Sequence, residues 1–264
     1  MTRPVITLTT DYGTSEHFAG VMKGVILGIN PEANIVDISH GVLAHDILDG
    51  AITIGSAFKY FPAKTIHVVV VDPGVGTERR PILVAADQHY FVAPDNGVLS
   101  SVYDQSESLT VWNIISEHYF LRPLSKTFHG RDIFAPVAAW LSKSWQTSAF
   151  GEPITDFVRF GMPKPKAAGN TVKGIVLKVD NFGNLVTNLT PSDVPALAAN
   201  DGKVTIRAGN AVATKVVPTF AQGQAGEVVG VIGSSGYLEI SVNKGSAART
   251  TGATRGAEVT VEVG

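Results

Sequence analysis

The chain of 264 residues contains no cysteine, which excludes disulfide bonds, thiolate zinc sites and cysteine nucleophiles. It also has no hydrophobic run near the roughly 20 residues that a membrane-spanning helix needs. The N-terminal sequence MTRPVITLTTDYG predicts a first strand rather than a signal peptide. Absence of cysteine is typical of a reducing compartment. We therefore expect a cytoplasmic protein that does not contact membranes.

An excess of positive charge is also missing, since the formal net charge at pH 7 is -2. A basic surface is what attracts nucleic acids and anionic membranes, so we expect neither as a partner. The sequence has no P-loop, no GxSxG nucleophile elbow and no complete GxGxxG dinucleotide loop. These absences remove several common enzyme classes.

The most informative segment that is present runs from Val68 to Arg80 and reads VVVVDPGVGTERR. Its consecutive valines favour a buried strand of a parallel sheet, because β-branched side chains pack well there and are disfavoured in helices. Asp72 follows at the strand end, the edge where ligands bind in open α/β sheets. Arg79 follows a glycine-containing loop, so both side chains can converge on one ligand. A structural Asp-Pro-Gly turn is the alternative for this segment taken alone.

Strands and helices alternate in the first part of the chain. Apolar residues recur at helical spacing from Phe18 to Ile29, between two short strand signals. This alternation predicts a largely parallel sheet flanked by helices. The predicted strands are Val5–Thr9, Ile35–Ile38, Thr65–Val71, Ile82–Ala86, Tyr90–Ala93 and Leu109–Ile114, and the predicted helices are Phe18–Ile29, Asp46–Tyr60 and Asp132–Lys143.

Proline, lysine and glycine then crowd a segment without periodicity, from Gly161 to Gly169. Short strands separated by glycine-rich turns follow it, which predicts a smaller all-β, barrel-like domain. We therefore predict an α/β catalytic domain over residues 1–160, a linker over 161–171 and a β-rich domain over 172–264. The predicted strands of the second domain are Gly174–Val179, Lys203–Arg207, Val228–Ile232, Tyr237–Val242 and Glu258–Val263.

Several short segments, taken in order and at their spacing over nearly the whole chain, resemble the S-adenosylmethionine hydroxide adenosyltransferase family, relatives of the fluorinases and chlorinases. Besides the VVVVDPGVGTERR segment they are TTDYG from Thr9, VDISH from Val36, HDILDGA from His45, APDNGVL from Ala93, TFHGRD from Thr127, DNFGN from Asp180 and SSGYLEI from Ser234. The resemblance implies hydrolysis of S-adenosyl-L-methionine to adenosine and L-methionine, by attack of water or hydroxide at the ribose C5′. It implies no metal and no cofactor besides this substrate.

The resemblance further implies that Asp72, Arg79 and His129 handle the attacking water. Asp72 can orient the water and accept a proton, Arg79 can stabilise a hydroxide-like oxygen, and His129 can relay a proton. The sulfonium is already a good leaving group, so catalysis needs mainly alignment and preorganised electrostatics. The alternatives are a solvated Arg79, with Arg80 in its role, and a histidine that only caps the following helix.

Further residues are candidates for binding the substrate. Asp11, at the end of the first strand, is placed to accept hydrogen bonds from ribose hydroxyls. The family pattern implies that Asp180 and Asn184, on either side of Phe182, hold the amino and carboxylate ends of methionine. Phe220 is a candidate for stacking on adenine. A turn or core position is the structural alternative for these residues. The remaining candidates are His45, Gly130, Ser234 and Ser235.

Fluorinases differ from this chain around the expected nucleophile. They have tyrosines where Asp72 and His129 stand, a serine where Gly130 stands and a tryptophan where His45 falls. They also carry an insertion that the compact segment Pro81–Asp95 lacks. A carboxylate repels an anion by Coulomb interaction, so Asp72 favours water over a halide. The expected reaction is therefore hydrolysis and not halogenation.

The resemblance also implies a homotrimer, with sites between the first domain of one subunit and the β-rich domain of its neighbour. Two functions from other classes stay open. A metal-dependent phosphoesterase would use Asp37, His40, His45 and Asp46, which lie close together but in no known ligand spacing. A nucleotide-binding protein without turnover is the other alternative.

Overall fold

A computed structural model of the chain describes residues 3–144, 146–198 and 203–264. The chain forms two compact units, Met1–Met162 and Pro163–Gly264. Lys166–Ala168, inside the segment predicted as a linker, forms a short strand. The linker and the domain limits at 160 and 172 stay predictions. None of the helices in the described ranges is both long and apolar enough to cross a membrane.

The first unit contains one sheet and the helices that cover it. The strands are β1 (Val5–Thr10), β2 (Asn34–Ser39), β3 (Ile66–Val70), β4 (Pro81–Ala86), β5 (His89–Pro94), β6 (Leu109–Ile114) and β7 (Gly151–Ile154). The helices are α1 (Phe18–Ile29), α2 (Ile47–Ala57), α3 (Ser100–Gln105) and α4 (Ala135–Ser142). The seven strands are ordered β2-β1-β3-β5-β4-β6-β7.

This sheet is mixed, so the prediction of a largely parallel sheet was wrong. β2, β1, β3 and β5 run parallel, whereas β4, β6 and β7 pair antiparallel with their neighbours. The cause is the β4–β5 hairpin, in which only Asp87 and Gln88 join the strands. A parallel connection needs a crossover of a dozen or more residues, which this length forbids. Asp87 has φ +51°, the positive value that tight hairpin turns require.

Two apolar cores lie on the sheet of the first unit. Met22, Ile26 and Phe134 belong to the core that includes residues of α1 and α4, and Ile54 and Val102 to the core that includes residues of α2 and α3. Every residue of β3 is buried, as the valine run predicts for a strand covered on both faces. The parallel strands β1 and β3 are neighbours in register, so the residues that follow them emerge at one sheet edge.

The second unit is a nearly closed, barrel-like antiparallel sheet, as predicted. Its strands are β8 (Lys166–Ala168), β9 (Thr171–Val179), β10 (Leu185–Thr187), β11 (Val204–Ala208), β12 (Ala211–Ala213), β13 (Val228–Ile232), β14 (Leu238–Val242) and β15 (Glu258–Val263). They are ordered β12-β11-β15-β9-β10-β14-β13, with β8 on β9. Val216, which follows β12, bridges to Gly230 in β13 and brings the ends of the sheet together. A short helix, α5 (Ala247–Thr251), precedes the last strand.

Candidate active site

A cavity of about 290 Å³ lies at the edge of the first unit's sheet where β1 and β3 end. Thr10 pairs with Val70 in the β1–β3 register, so Asp11 and Asp72 leave adjacent strand ends. This is the position at which open α/β sheets bind ligands. The residues that line the cavity are Asp11, Tyr12, Phe18, Ala44, His45, Asp72, Val75, Thr127 and Gly130.

Asp72 and Arg79 form a buried ion pair beside this cavity. Nε of Arg79 donates to both carboxylate oxygens at 3.0 Å, and Nη2 donates to Oδ2. The side chains of Arg79 and Asp72 are only 9% and 5% exposed. Paired hydrogen bonds between a guanidinium and a carboxylate are strong and also fix the orientation of both groups. The arrangement predicted from the sequence, in which the loop folds back to join these side chains, is therefore present.

Gly76 explains why the loop between these two residues needs glycine. It has φ +79°, and a Cβ at this position would collide with the backbone oxygen of Lys126. Only glycine combines a positive φ with so close an approach of another backbone. The Asp72–Arg79 loop thus packs directly on the segment that leads to His129.

His129 contacts Arg79 through Nδ1, which lies 2.8 Å from Nη2. A guanidinium can only donate, so Nδ1 accepts and the proton of the neutral ring is on Nε2. Burial, followed by the positive charge of Arg79, lowers the pKa of His129, although Asp72 and Asp132 oppose this effect. His129 is therefore neutral at pH 7. It accepts a hydrogen bond from the same guanidinium that is paired with Asp72. A proton relay through this ring would have to use Nε2.

Asp132 shapes the segment on which His129 lies. Its buried carboxylate accepts a hydrogen bond from Nε of Arg131 at 2.6 Å and from the backbone N–H of Ser125 at 2.7 Å. The segment then enters a π-helical turn, Gly130–Phe134, which continues into α4. Single π turns are frequent at functional sites. A buried carboxylate with these partners fixes the loop from Ser125 to His129 against the core.

Asp11 and His45 form a second contact at the cavity. The backbone N–H of His45 donates to Oδ2 of Asp11 at 2.9 Å. His45 has φ +65°, a conformation that is uncommon for residues with a side chain. Backbone strain of this kind concentrates at functional sites, where the surrounding structure maintains it. The structure therefore brings Asp11, His45, Asp72 and Gly130 to one cavity, with Arg79 bonded to Asp72.

Sequence reasoning missed the aromatic wall of this cavity. The Tyr12 ring lies 5.6 Å from the ring of Phe18 and 6.0 Å from the ring of Phe128, centroid to centroid. Burial, with the negative charges of Asp11 and Asp72, raises the pKa of Tyr12 well above its usual value. The signal was available, because Tyr12 follows Asp11 directly in the TTDYG segment. The other lining residues that were missed are Ala44, Val75 and Thr127.

The remaining candidates lie in the second unit, and Asp180 there organises a tight loop between β9 and β10. Its Oδ1 accepts from the backbone N–H groups of Phe182 and Asn184, both at 2.8 Å, and its Oδ2 accepts from Nδ2 of Asn184 at 2.8 Å. Gly183 has φ +84°, and a Cβ there would collide with Ser246. The loop leaves Phe182 77% exposed, a large apolar side chain offered to solvent or a ligand.

The structure separates the serine candidates from this loop. Ser234 and Ser235 are exposed in the turn that joins β13 to β14. Leu185, which follows the Asp180 loop, pairs with Ile240, whereas the two serines precede Leu238 at the other end of β14. Phe220 begins a short 3₁₀ helix, Phe220–Gln222, and is 43% exposed. Burial and the charge of Asp180 raise the pKa of Glu239, a neighbour of this loop that sequence reasoning did not select.

The residues of the metal-site alternative have other contacts in the structure. His40 bonds to Thr10 at 2.8 Å through Nδ1, and its Nε2 lies 3.1 Å from Oδ1 of Asp37. Lys23 donates to the same carboxylate at 2.6 Å, and Asp46 caps α2 by accepting from the Asp49 N–H at 2.9 Å. Within the described ranges, no group of three or more His, Asp or Glu side chains could hold a metal ion.

Comparison with known proteins gives matches over most of the chain. The family described as SAM hydroxide adenosyltransferase matches through its N-terminal domain at residues 6–151 and its C-terminal domain at residues 174–260. An (R)-S-adenosyl-L-methionine hydrolase of Salinispora tropica is 36% identical and covers 99% of this chain and 98% of its own. One of Methanocaldococcus jannaschii is 34% identical and covers 90% of this chain and 88% of its own.

More distant relatives and solved structures agree with these matches. A fluorinase of Actinoplanes is 27% identical and covers 98% of this chain and 97% of its own. A crystal structure of a conserved protein from Thermotoga maritima superposes with a TM-score of 0.91 at 36% identity, covering 97% of this chain and 99% of that one. The matches thus cover 88–99% of the length of these relatives.

Proposed function

This chain belongs to the SAM hydroxide adenosyltransferase family, and we propose that it hydrolyses S-adenosyl-L-methionine to adenosine and L-methionine. The proposal rests on one observation above others. The carboxylate of Asp72 lines the cavity at the strand ends and is held from behind by the buried guanidinium of Arg79. The hydrolase names of relatives at 30–36% identity over most of the chain support the same reaction.

In this reaction a water oxygen forms a bond to C5′ while the bond from C5′ to sulfur breaks. The electron pair of the broken bond goes to sulfur, which leaves as the neutral thioether of methionine, so the leaving group needs no proton. The attacking water must lose one proton, and we assign its acceptance to Asp72, one of the two carboxylates that line the cavity. Its fixed geometry supports in-line alignment, which supplies much of the rate in such displacements.

Arg79 and His129 support Asp72 in this scheme. The guanidinium holds the carboxylate in one orientation and keeps a positive charge near the oxygen that attacks. The neutral His129 ring accepts from Arg79 and so limits the positions that the guanidinium can take. Asp72 is then the group that contacts water, and the other two residues set its position and its charge.

Substrate binding is assigned from the cavity and from the family resemblance. Asp11 accepts from the ribose hydroxyls, with His45 and Gly130 beside it. Asp180, Phe182 and Asn184 hold the methionine end on the loop described above. Phe220, Ser234 and Ser235 complete the proposed contacts with adenine and methionine.

The proposed assembly is a homotrimer in the cytoplasm. Its sites would form where the first unit of one subunit meets the second unit of a neighbour, because the family resemblance implies composite sites of this kind. The proposed reaction needs no metal and no cofactor besides the substrate. No membrane or nucleic-acid partner is part of this proposal.

Incubation of the protein with S-adenosyl-L-methionine, followed by chromatography, tests the proposed function. We expect adenosine and methionine in equal amounts, and no loss of activity after treatment with a chelator. Tight binding of adenosine without turnover over hours would favour the non-catalytic alternative. Activity that a chelator abolishes and added metal restores would favour the metal-dependent alternative.

A further inference from the structure

The hydroxyl of Tyr12 is a hydrogen-bond donor beside the cavity. Tyr12 lines the cavity with Asp11 and Asp72, and among the residues that the structure describes its hydroxyl has no hydrogen-bond partner. Tyr12 is half-buried, so its hydroxyl can be reached from the cavity. A tyrosine hydroxyl in such a position usually finds a hydrogen-bond partner. The partner of this hydroxyl is therefore to be sought in the contents of the cavity.

The Tyr12 hydroxyl fits in its place because residue 130 is glycine and has no side chain. A Cβ at position 130 would lie 2.7 Å from the Tyr12 hydroxyl oxygen and 3.1 Å from Sδ of Met22. Even the smallest side chain would therefore push the tyrosine away. A tilted contact with Phe18 and an edge contact with Phe128 restrict the movement of the ring and so of its hydroxyl.

The negative charges near the Tyr12 hydroxyl indicate which kind of group it binds. Burial, followed by the negative charges of Asp11 and Asp72, raises the pKa of Tyr12, although Arg79 opposes this effect, so the phenol stays protonated at neutral pH. A protonated phenol next to carboxylates is a donor for a group that the carboxylates also bind. Water fits this description, since it can donate to a carboxylate and accept from a phenol at the same time.

We propose that the Tyr12 hydroxyl donates a hydrogen bond to the attacking water, while Asp72 accepts one from it. These two hydrogen bonds leave the water one free lone pair, with which it attacks C5′. Tyr12 is then a contact residue of the nucleophile, and glycine at position 130 leaves free the space that its hydroxyl occupies. This inference rests on the proposed function and adds to it the residue that orients the nucleophile.

Steady-state kinetics of Tyr12→Phe test the inference, because this change removes the hydroxyl and keeps the ring. We expect kcat to fall by roughly 10- to 100-fold, the scale of one hydrogen bond to a charged or developing charged group, with KM nearly unchanged. Tyr103→Phe is the matched control. Tyr103 is a buried tyrosine, 5% exposed, that packs on Phe157 and is not among the residues that line the cavity, so the kcat of Tyr103→Phe should match that of the parent.

A double-mutant cycle with Gly130→Ala separates catalysis from packing. Gly130→Ala should also lower kcat, because its methyl group displaces the hydroxyl, and adding it to Tyr12→Phe should cost little further activity. An unchanged kcat in Tyr12→Phe, a rise in KM alone, or fully additive losses would overturn the inference. In each of these cases the parent would still hydrolyse its substrate, whereas failure of the proposed function would leave the parent itself inactive.

Discussion

Replacing Asp72 with asparagine tests the ion pair on which the site is built. The change keeps the size of the side chain and one acceptor oxygen but removes the negative charge. Arg79 then stays buried, at 9% exposure, without a counter-charge. The carboxylate that accepts the proton of the attacking water is lost in the same step.

The structure sets the size of both effects. Breaking a buried ion pair by removing one partner costs about 3–5 kcal/mol. Because asparagine keeps one acceptor for Arg79, we expect the lower end, about 3 kcal/mol, or roughly 6–12 °C in the unfolding temperature. Loss of a positioned acid–base group lowers kcat by about 10²–10⁴-fold.

Asp95→Asn is the matched control, because it breaks a second pair of the same chemistry. Asp95 is 2% exposed and accepts from Nε of Arg80 at 3.0 Å and from Nη2 at 2.7 Å. Because Arg80 is 29% exposed, Asp95→Asn should lose no more stability than Asp72→Asn. The Asp95–Arg80 pair does not line the cavity among the residues described around it, so kcat should stay close to that of the parent.

Thermal unfolding and steady-state kinetics on the two variants give the comparison. Both should unfold at lower temperature, and only Asp72→Asn should lose turnover below its own unfolding transition. Equal kcat values in Asp72→Asn and the parent would refute the catalytic assignment of Asp72. Equal losses of kcat in both variants would instead mean that stability, not chemistry, explains the effect.

Three further predictions concern titration and assembly. Burial lowers the pKa of His67 to about 3, so below about pH 6.5 protonation of this histidine favours the unfolded chain. The free energy of unfolding should therefore fall by about 2 kcal/mol from pH 7 to pH 5, and urea titrations of His67→Gln should show a smaller fall. Since the pKa of His129 is lowered and only the neutral ring accepts from Arg79, kcat/KM should fall as the pH drops through a value below 6.5, and a flat acidic limb would contradict that role. Mixing inactive Asp72→Ala and Asp180→Ala proteins under conditions of subunit exchange should restore some activity if sites are shared between subunits, and an active monomer in light scattering would exclude this.

The sequence predicted where Asp11 and Asp72 lie in the first unit because its signals are local. A β-branched run followed by an acid locates a strand end, and two parallel neighbouring strands bring Asp11 and Asp72 to one edge. The spacing between Asp72 and Arg79 predicted that both side chains can converge on one ligand, and in the structure they form an ion pair with each other. Tyr12 was missed although it follows Asp11 directly, because only the fold shows that Gly130, distant in the sequence, leaves space for its hydroxyl.

The direction of the sheet could not be derived from alternation alone. The pair of short strands at β4 and β5 was predicted, but a connection of two residues, Asp87 and Gln88, decides that they run antiparallel. In the second unit the loop from Asp180 to Asn184 was predicted as a turn or a binding element. The structure shows the turn, which Asp180 stabilises while Phe182 is left exposed, and the binding role stays a proposal.

The measurement that tests the central claim most directly follows the oxygen. The protein would be incubated with S-adenosyl-L-methionine in ¹⁸O-labelled water at high chloride or fluoride, and the nucleoside products analysed by mass spectrometry. Because Asp72 places a negative charge at the cavity, the account predicts adenosine with the label at its 5′ oxygen, and methionine without label. A 5′-halogenated deoxyadenosine as the main product, or adenosine without label, would contradict the assignment of Asp72, Arg79 and His129 to the activation of water.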